Sequence, residues 1–370
     1  MKTLFCLLAL SGCAFAGVSV SSPATGSTDS SPVHFVANAT TSCSAGVASM
    51  GIYTAPSVLA YTVPGASLNT SLTLSNGTYN TVVQEWDKCG GASKTPVTIT
   101  VSGGSSAVPA SNHVFLLVEE NHSYSSVIGS SSMPYLNGLA SKYGLATQYY
   151  ADTHPSIGNY FMLTTGAIIT NNDSMCSTIS NDNIVRHLLT AGKTWKSYAE
   201  SLPSAGYTGC GSGPYAKKHN PFAFFSDVAN SSEKNNLVPF TQFSKDLASN
   251  ALPNFSFIVP NLNDDAHDGT LTQADNWLEA NIIVPLFKNS MFKAGGDGIL
   301  IIVFDESVTS DTAHGGGHVA AVVIGPKVKG GSKPATLYQH PNTLRTLMEA
   351  LGLKTYPGLA SSAPPMTGVF

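Results

Sequence analysis

The spacing of apolar residues along the chain changes once, close to residue 103. Before this point, short segments alternate apolar and polar residues, as in residues 33–36 (VHFV) and 97–101 (VTITV). Alternation with a period of two is typical of a strand with one buried face. Several such segments separated by turn residues predict an all-β, immunoglobulin-like sandwich over residues 17–103, with Trp86 in its core.

The segment 104–111 is rich in Gly, Ser, Ala and Pro and is interpreted as a linker. Beyond it, continuous apolar runs alternate with stretches of helical character. The predicted strands are 113–118, 255–259, 299–304 and 319–324, and the predicted helices are 135–143, 159–166, 274–287 and 342–351. This alternation predicts an α/β domain over residues 112–370, with a mainly parallel sheet and helices on both faces.

The first sixteen residues have the pattern of an export signal. Lys2 precedes a short apolar run, and Ala14-Phe15-Ala16 is a small-x-small cleavage site. In a competing interpretation, residues 10–13 (LSGC) form a lipobox, and Cys13 carries a lipid anchor. Both interpretations predict a secreted or extracytoplasmic protein, which in the second case is held at the cell surface.

Four cysteines follow the predicted signal: Cys43, Cys89, Cys176 and Cys210. An even number in an exported chain predicts two disulfides, for which three pairings are possible. Because two cysteines fall in each predicted domain, Cys43–Cys89 with Cys176–Cys210 is the simplest choice.

The charge content excludes some classes of function. Charged residues make up 11% of the chain and the net charge is −4, which argues against a nucleic-acid-binding protein, since such proteins usually present a basic face. No apolar run is long enough to predict a transmembrane helix.

Acidic residues follow three of the predicted strands. Glu119, Glu120 and Asn121 follow the first, residues 260–269 (PNLNDDAHDG) the second, and Asp305 with Glu306 the third. Ligands of open α/β sheets bind beyond the carboxyl ends of the strands, where converging carboxylates repel one another unless a cation neutralises them. We therefore expect a divalent metal ion there, with Zn, Mn, Mg and Ca all compatible with these ligands. The alternative is that the acids are solvated loop residues.

Ser156 lies where a predicted helix begins, after residues 152–155 (DTHP). Free backbone N–H groups and the helix dipole favour an anion at this point. A serine bound to a metal ion is also a competent nucleophile for phosphoryl transfer. The alternative is that Ser156 only caps the helix.

Six motifs occur in order over residues 112–370: 118–123 (VEENHS), 153–160 (THPSIGNY), 210–221, 260–269, 303–306 (VFDE) and 339–340 (QH). Together they resemble the phosphoesterase family of the alkaline-phosphatase-like superfamily. That family includes bacterial acid phosphatases, phosphatidylinositol 3-phosphatases and phospholipases C. The resemblance implies an alkaline-phosphatase-like fold and metal-dependent hydrolysis of phosphate esters.

The resemblance also implies a role for each matching residue. The implied metal ligands are Glu120, Asn121, Asp305, Glu306 and Ser156, the last also being the nucleophile, with Asp265, Asp268 and His340 as further candidates. His267 would protonate the leaving oxygen or bind a second metal ion. The implied phosphate contacts are Asn159, Lys218 and His219. For Lys218 and His219 the alternative is a surface basic pair, and for His340 it is a capping residue.

The chain departs from the family pattern at several positions. His122 stands where the family usually has arginine, so the implied phosphate contact is either lost or dependent on pH. Gly158 replaces a usual proline, and Ala266 a usual methionine. Residues 311–318 (DTAHGGGH) are an unusual insertion, interpreted as a glycine-rich active-site loop or, through His314 and His318, as a source of more metal ligands.

These features predict an acid-phosphatase-like phosphomonoesterase that works through a phosphoserine at Ser156. Its substrate would be a phosphorylated small molecule or a phospholipid head group. The alternatives are a phosphodiesterase of the phospholipase C type and a non-enzymatic cell-surface binding protein. Nothing in the sequence indicates what the predicted sandwich binds.

Overall fold

The computed structural model describes residues 17–74, 77–102 and 108–370. The predicted export signal and Cys13 lie outside these residues, as do residues 104–107 of the predicted linker. Contacts between Cα atoms divide the chain into two units, residues 1–104 and 105–370. Within the described residues, no helix combines the length and apolar character needed to cross a membrane.

The first unit is all-β, as expected. Its strands are β1 (Gly17–Ser22), β2 (Thr28–Asp29), β3 (Val33–Thr40), β4 (Val47–Ala55), β5 (Val58–Pro64), β6 (Ser67–Leu72), β7 (Gly77–Asp87) and β8 (Ala92–Val101). They form a three-stranded sheet, β1-β3-β6, and a five-stranded sheet, β2-β8-β7-β4-β5. Side chains of both sheets, such as Phe35, Ile52 and Ile99, share one buried core. The immunoglobulin-like assignment stays a prediction.

Trp86 is not part of that core, contrary to expectation. Along β7, Tyr79 and Val83 are buried in the core, and Trp86 belongs by alternation to the opposite face. Its half-buried ring lies 6.3 Å from the Tyr53 ring. A Cβ added to Gly51 would approach the indole to 3.0 Å, so the ring rests directly on the backbone of β4.

The second unit is a mixed α/β domain. Its strands are β9 (Val114–Glu119), β10 (Gly144–Leu145), β11 (Gln148–Tyr150), β12 (Trp195–Ala199), β13 (Gly211–Ser212), β14 (Tyr215–Ala216), β15 (Leu237–Pro239), β16 (Phe255–Val259), β17 (Ile299–Phe304), β18 (Ala321–Ile324) and β19 (Leu337–Gln339). Its α-helices are α1 (Tyr124–Val127), α2 (Pro134–Lys142), α3 (Ser156–Thr165), α4 (Ile184–Thr190), α5 (Ser226–Ala229), α6 (Thr241–Ala248), α7 (Leu271–Leu278), α8 (Val284–Lys288) and α9 (His340–Ala350).

The main sheet has seven strands in the order β10-β18-β17-β9-β16-β12-β15. The five strands from β17 to β15 run parallel, whereas β18 pairs antiparallel with both of its neighbours, β17 and the edge strand β10. Every residue of β9, β16 and β17 is buried, so both faces of the central strands are covered, which explains their continuous apolar runs. The three strands that end in acidic residues are therefore neighbours.

The predicted helix 274–287 is interrupted. Helix α7 ends at Leu278, a π-helical turn spans Glu279–Ile283, and α8 starts at Val284. Pro285 lies in the first turn of α8. Proline has no N–H, and its ring displaces the carbonyl four residues earlier, so a continuous α-helix is not possible across it.

Two disulfides are present, Cys43–Cys89 in the first unit and Cys176–Cys210 in the second. The second joins the segment after α3 to the segment before β14, and both segments approach the carboxyl end of the main sheet.

Candidate active site

The polar residues that follow β9, β16 and β17 lie together at the carboxyl end of the main sheet. Backbone hydrogen bonds tie these strand ends together, from Glu120 N to the Asp265 carbonyl (2.8 Å) and from Asp305 N to the Glu119 carbonyl (2.9 Å). Asn121 has a φ of 55°, and its N–H donates to Asp305 Oδ1 at 3.0 Å. The left-handed turn at Asn121 thereby fixes the orientation of the Asp305 carboxylate.

Ser156 is the first residue of α3, and its hydroxyl lies between two carboxylates. Its Oγ is 3.0 Å from Glu120 Oε2 and 3.1 Å from Glu306 Oε1. The cap position belongs to Pro155, so the serine hydroxyl is not used to cap the helix. Ser156 is buried, and its hydroxyl contacts two acidic residues that follow strands of the main sheet.

The carboxylates around Ser156 are buried and carry unsatisfied atoms. Burial raises the pKa of Glu120 and Asp305 well above the usual range, and in each case a neighbouring carboxylate raises it further. Burial also raises the pKa of Asp265 to about 7. Asp305 Oδ2 is buried without a hydrogen-bond partner. This donor set of converging oxygens fits a divalent cation, which would supply the missing partner and the missing positive charge.

His219 is buried in the centre of the site rather than on the surface. Its ring is stacked on Tyr160, with centroids 5.0 Å apart, and its Nδ1 lies 3.1 Å from Asp265 Oδ2. Its Nε2 faces Glu120 Oε1 at 3.3 Å and is buried without a hydrogen-bond partner. The surface alternative for His219 is therefore wrong, because the residue is buried. A histidine with a carboxylate on one ring nitrogen could hold a metal ion with the other nitrogen.

Glu120, His219 and His267 form a group with one ligand atom from each within 4.8 Å of the others. His267 is partly exposed, with Nδ1 2.7 Å from Asp268 Oδ1 and Nε2 3.4 Å from Lys218 Nζ. Asp268 is largely exposed. His219, for which the resemblance implied a phosphate contact, therefore lies among the candidate metal ligands. The metal role implied for Asp268 stays a prediction.

Lys218 is mostly buried and points at the same site. Its Nζ donates to Asp173 Oδ2 at 2.8 Å. Burial by itself lowers the pKa of Lys218, but the hydrogen bond to Asp173 and the charge of Glu120 outweigh it and raise the pKa. The side chain is thus a cation fixed beside His267.

The Asn159 side chain is fully engaged with the backbone before Ser156. Its Oδ1 accepts from the N–H groups of Asp152 (3.0 Å) and Thr153 (3.2 Å), and its Nδ2 donates to the Thr153 carbonyl (2.8 Å). These bonds use the amide atoms that a phosphate contact would need. Asn159 holds the turn that presents Ser156.

Both ring nitrogens of His340 are also occupied. Nε2 lies 2.7 Å from the Asp305 carbonyl, and Nδ1 lies 2.9 Å from the Tyr149 hydroxyl. The His340 ring therefore contacts the backbone of Asp305, a proposed ligand, and has no free nitrogen for a cation in this arrangement.

His122 is half-buried with its ring edge-on to Phe304, and burial lowers its pKa, so it differs from the arginine that the family usually has there.

His154 belongs to the site, although no role was predicted for it from the sequence. Its Nδ1 contacts Glu306 Oε2, and its Nε2 lies 2.9 Å from the Asp311 carbonyl. His154 thereby connects Glu306 to the glycine-rich insertion. Tyr160 was missed as well, and its hydroxyl donates to Glu120 Oε1. Both residues lie inside the motif around Ser156, which was the available signal.

The glycine-rich insertion packs against the segment that precedes Ser156. Gly316 N donates to the Ala151 carbonyl, and Ala151 N donates to the Gly317 carbonyl. His318 stacks on Tyr124 with centroids 4.2 Å apart, and its Nε2 lies 3.1 Å from the Thr147 carbonyl. The insertion therefore supports the nucleophile segment, and His318 is engaged with aromatic rings and backbone rather than with the carboxylates.

Comparisons with known proteins identify the family of this chain. The family model described as the phosphoesterase family matches residues 130–354. The chain is 35% identical over 268 residues to a phosphatidylinositol-3-phosphatase of Mycobacterium tuberculosis, covering 72% of this chain and 85% of that protein. It is 32% identical over 305 residues to a probable acid phosphatase of Kluyveromyces lactis, covering 78% and 69% respectively. The chain belongs to the phosphoesterase family, and it is a phosphoric ester hydrolase.

Solved structures similar to this chain include a lipoteichoic acid synthase of Listeria monocytogenes, with a TM-score of 0.49, 11% identity and coverage of 71% of this chain and 76% of that one. A Vibrio parahaemolyticus protein described as a member of the alkaline phosphatase superfamily has a TM-score of 0.41 and 15% identity, with coverage of 68% and 70%.

Proposed function

We propose that the protein is a metal-dependent phosphomonoesterase that forms a phosphoserine at Ser156. The observation that carries the proposal is the position of the Ser156 hydroxyl, which is the first side chain of a buried helix and contacts both Glu120 and Glu306. Backbone N–H groups at the same helix start have no α-helical partner inside the helix and favour the phosphate anion. A nucleophile, its proton acceptors and an anion-binding helix start therefore coincide.

The residues proposed to hold a divalent cation are Glu120, Asn121, Ser156, Asp305 and Glu306. When bound, the ion would favour the ionised serine and neutralise charge on the phosphoryl oxygens. Its identity among Zn, Ca, Mg and Mn stays open. His219, with Glu120 and His267, forms the group in which a second ion would be held.

The chain's own residues account for the proton transfers. A Glu120 or Glu306 carboxylate takes the proton of Ser156 Oγ as the oxygen attacks phosphorus. The bond from phosphorus to the substrate oxygen breaks, and His267 donates a proton to that oxygen, which leaves as an alcohol. Water then gives one proton to His267 and attacks the phosphoserine, the bond from phosphorus to Ser156 Oγ breaks, and the carboxylate returns its proton to Ser156 as phosphate departs. His340 and Asn159 position Asp305 and Ser156 in this scheme.

The substrate is proposed to be a phosphorylated small molecule or a phospholipid head group. The names of the two relatives, a phosphatidylinositol-3-phosphatase and a probable acid phosphatase, both describe removal of a terminal phosphate. This supports a monoesterase over the phospholipase C type of diesterase. Hydrolysis of an aryl phosphate, a phosphoinositide and phosphatidylcholine by the purified protein would separate the three cases.

The critical test is Ser156→Ala, with Ser126→Ala, at an exposed serine of the same domain, as the control. We expect Ser156→Ala to lower kcat by about 10³-fold or more and the control to keep wild-type activity. Burst-phase labelling with a ³²P-phosphate ester should mark Ser156 only in the wild type. Full activity of Ser156→Ala would overturn the phosphoserine proposal, and full activity after chelation with no bound metal would overturn the metal proposal.

We also propose export, with residues 1–16 as the signal and either free secretion or a lipid on Cys13. The two disulfides support formation in an oxidising compartment. Mass spectrometry of the mature N-terminus would distinguish a chain starting at Gly17 from one starting at a lipidated Cys13. The domain limits 17–103, 104–111 and 112–370 complete this proposal.

A further inference from the structure

Asp173 accepts hydrogen bonds from two donors close to the start of α3, where the proposed nucleophile lies. It lies in the loop that follows α3. Its Oδ1 accepts from the backbone N–H of Ile157 at 3.1 Å, and its Oδ2 accepts from Lys218 Nζ at 2.8 Å. Ile157 is the residue directly after Ser156, so the Asp173 carboxylate lies over the start of the nucleophile helix.

The two donors are those that a substrate phosphate would be expected to use. The Ile157 N–H is in the first turn of α3, where backbone donors have no partner inside the helix and attract anions. Lys218 Nζ is the fixed cation beside His267. A carboxylate with one oxygen on each donor occupies the space that two oxygens of a phosphate would take.

Close packing holds the Asp173 loop in this place. Asn171, two residues earlier, donates through Nδ2 to Thr153 Oγ1 at 2.9 Å. The loop also passes close to Gly158, where an added Cβ would lie 2.4 Å from Asn171 Oδ1 and 2.5 Å from Thr153 Cγ2. A side chain at position 158 would require the Asn171 and Thr153 side chains to move, so the glycine allows the loop to pack this closely against the start of α3.

We propose that Asp173 is a specificity-determining residue whose carboxylate competes with the substrate phosphate for Ile157 N and Lys218 Nζ. The phosphate has to displace the carboxylate and then bind close to its charge. Because repulsion scales with the charge of the ligand, Asp173 disfavours a dianionic monoester more strongly than a monoanionic diester. This inference rests on the proposed function of Ser156.

The test compares Asp173→Asn and Asp173→Ser with the wild-type holoenzyme. Asparagine keeps an acceptor for Ile157 and removes the charge, and serine removes the competing oxygens. Asp182→Asn, at an exposed aspartate, removes the same charge elsewhere and is the control. The measurements are the Ki of inorganic phosphate, its Kd by calorimetry, and kcat/KM for 4-nitrophenyl phosphate and bis(4-nitrophenyl) phosphate.

We expect both Asp173 variants to lower the Ki and Kd of phosphate by about tenfold, as removal of one adjacent charge would do. The ratio of kcat/KM for the monoester over the diester should rise, and Asp182→Asn should match the wild type. An unchanged or raised phosphate Ki in both variants would overturn the inference, since it would make Asp173 a structural cap of α3 or a positioning residue for Lys218. If the proposed function were wrong, the wild-type protein would hydrolyse neither ester. The Kd of phosphate for the wild type and the Asp173 variants would still test whether Asp173 competes with phosphate.

Discussion

The Tyr160 hydroxyl donates to Oε1 of Glu120 at 2.5 Å. Tyr160 is one turn after Ser156 on α3, so both side chains lie on the same face of the helix. Ser156 contacts the other oxygen of the same carboxylate. One helical turn thus positions the nucleophile and also fixes Glu120, the residue that it contacts.

Tyr160→Phe should weaken metal binding. The change removes a donor from a buried carboxylate without altering the ring that stacks on His219. Loss of a residue that orients a ligand typically lowers metal affinity or activity by about 10- to 100-fold, and we expect both to fall in this range. Metal titration by calorimetry and kcat/KM for an aryl phosphate would measure the effect.

Tyr150→Phe is the matched control, because its hydroxyl bonds to Gln148 and not to the carboxylate cluster. We expect this variant to retain wild-type metal affinity. An unchanged metal affinity in Tyr160→Phe would mean that the hydrogen bond does not orient Glu120.

His340→Ala should destabilise the protein without removing a metal ion. The change leaves the Asp305 carbonyl without the His340 donor, at a cost of about 1–3 kcal/mol for a buried group left unsatisfied. The Tyr149 hydroxyl keeps its bond to Thr343 Oγ1 at 2.7 Å. We expect a lower Tm and unchanged metal stoichiometry by elemental analysis. Loss of one equivalent of metal in folded protein would show that His340 is a ligand after all.

Gly316→Ala should disturb the nucleophile segment. The added Cβ would lie 2.5 Å from the Thr153 carbonyl oxygen and 2.6 Å from Ala151 Cβ, and backbone atoms cannot move aside as a flexible side chain can. We expect a loss of about 1–3 kcal/mol, the usual cost of overpacking, together with a fall in kcat. Denaturant unfolding and steady-state kinetics would measure the two effects.

Gly138→Ala provides the comparison for this substitution. Gly138 lies in α2 with open space around the added Cβ, so alanine should stabilise the helix by about 0.5–1 kcal/mol. Equal behaviour of the two alanine variants would show that close packing at Gly316 is not required.

Asp246 should make stability depend on pH in the acidic range. Burial alone would raise the pKa of Asp246, but hydrogen bonds from Lys196, Gln242 and Tyr198 outweigh it and lower the pKa. A lowered pKa stabilises the fold above the unfolded value of about 4, and this contribution is lost as the pH falls through the folded pKa. We expect Asp246→Asn to cost about 2 kcal/mol at pH 7.

The Tm difference between wild type and Asp246→Asn should therefore shrink between pH 5 and pH 3. Asp182→Asn, at an exposed position, should give a small difference at pH 7, as exposed ion pairs contribute about 0–1 kcal/mol. A difference for Asp246→Asn that stays constant down to pH 3 would contradict the assignment of the lowered pKa.

The sequence was sufficient to predict the strands that carry the site. Phe255–Val259 and Ile299–Phe304 are strands with the predicted limits, because strands buried on both faces require continuous apolar runs. By contrast, β12 and β15 were missed, since β12 contains the polar residues Lys196 and Ser197 and β15 has only three residues. The spacing of apolar residues predicted one continuous helix over 274–287, but a π-helical turn interrupts it just before Pro285.

What the sequence determined by itself is the position of acidic residues and Ser156 at strand ends and a helix start, since period and turn chemistry are local properties. The tertiary structure decided which partner each polar side chain has. The Asn159 side chain bonds to the loop before its own helix, and His219 is buried against Glu120. Asp173 bonds to Lys218, which lies 45 residues further along the sequence. A buried hydrogen bond depends on which distant segments are brought within about 3 Å of each other, and only the packed fold fixes that distance.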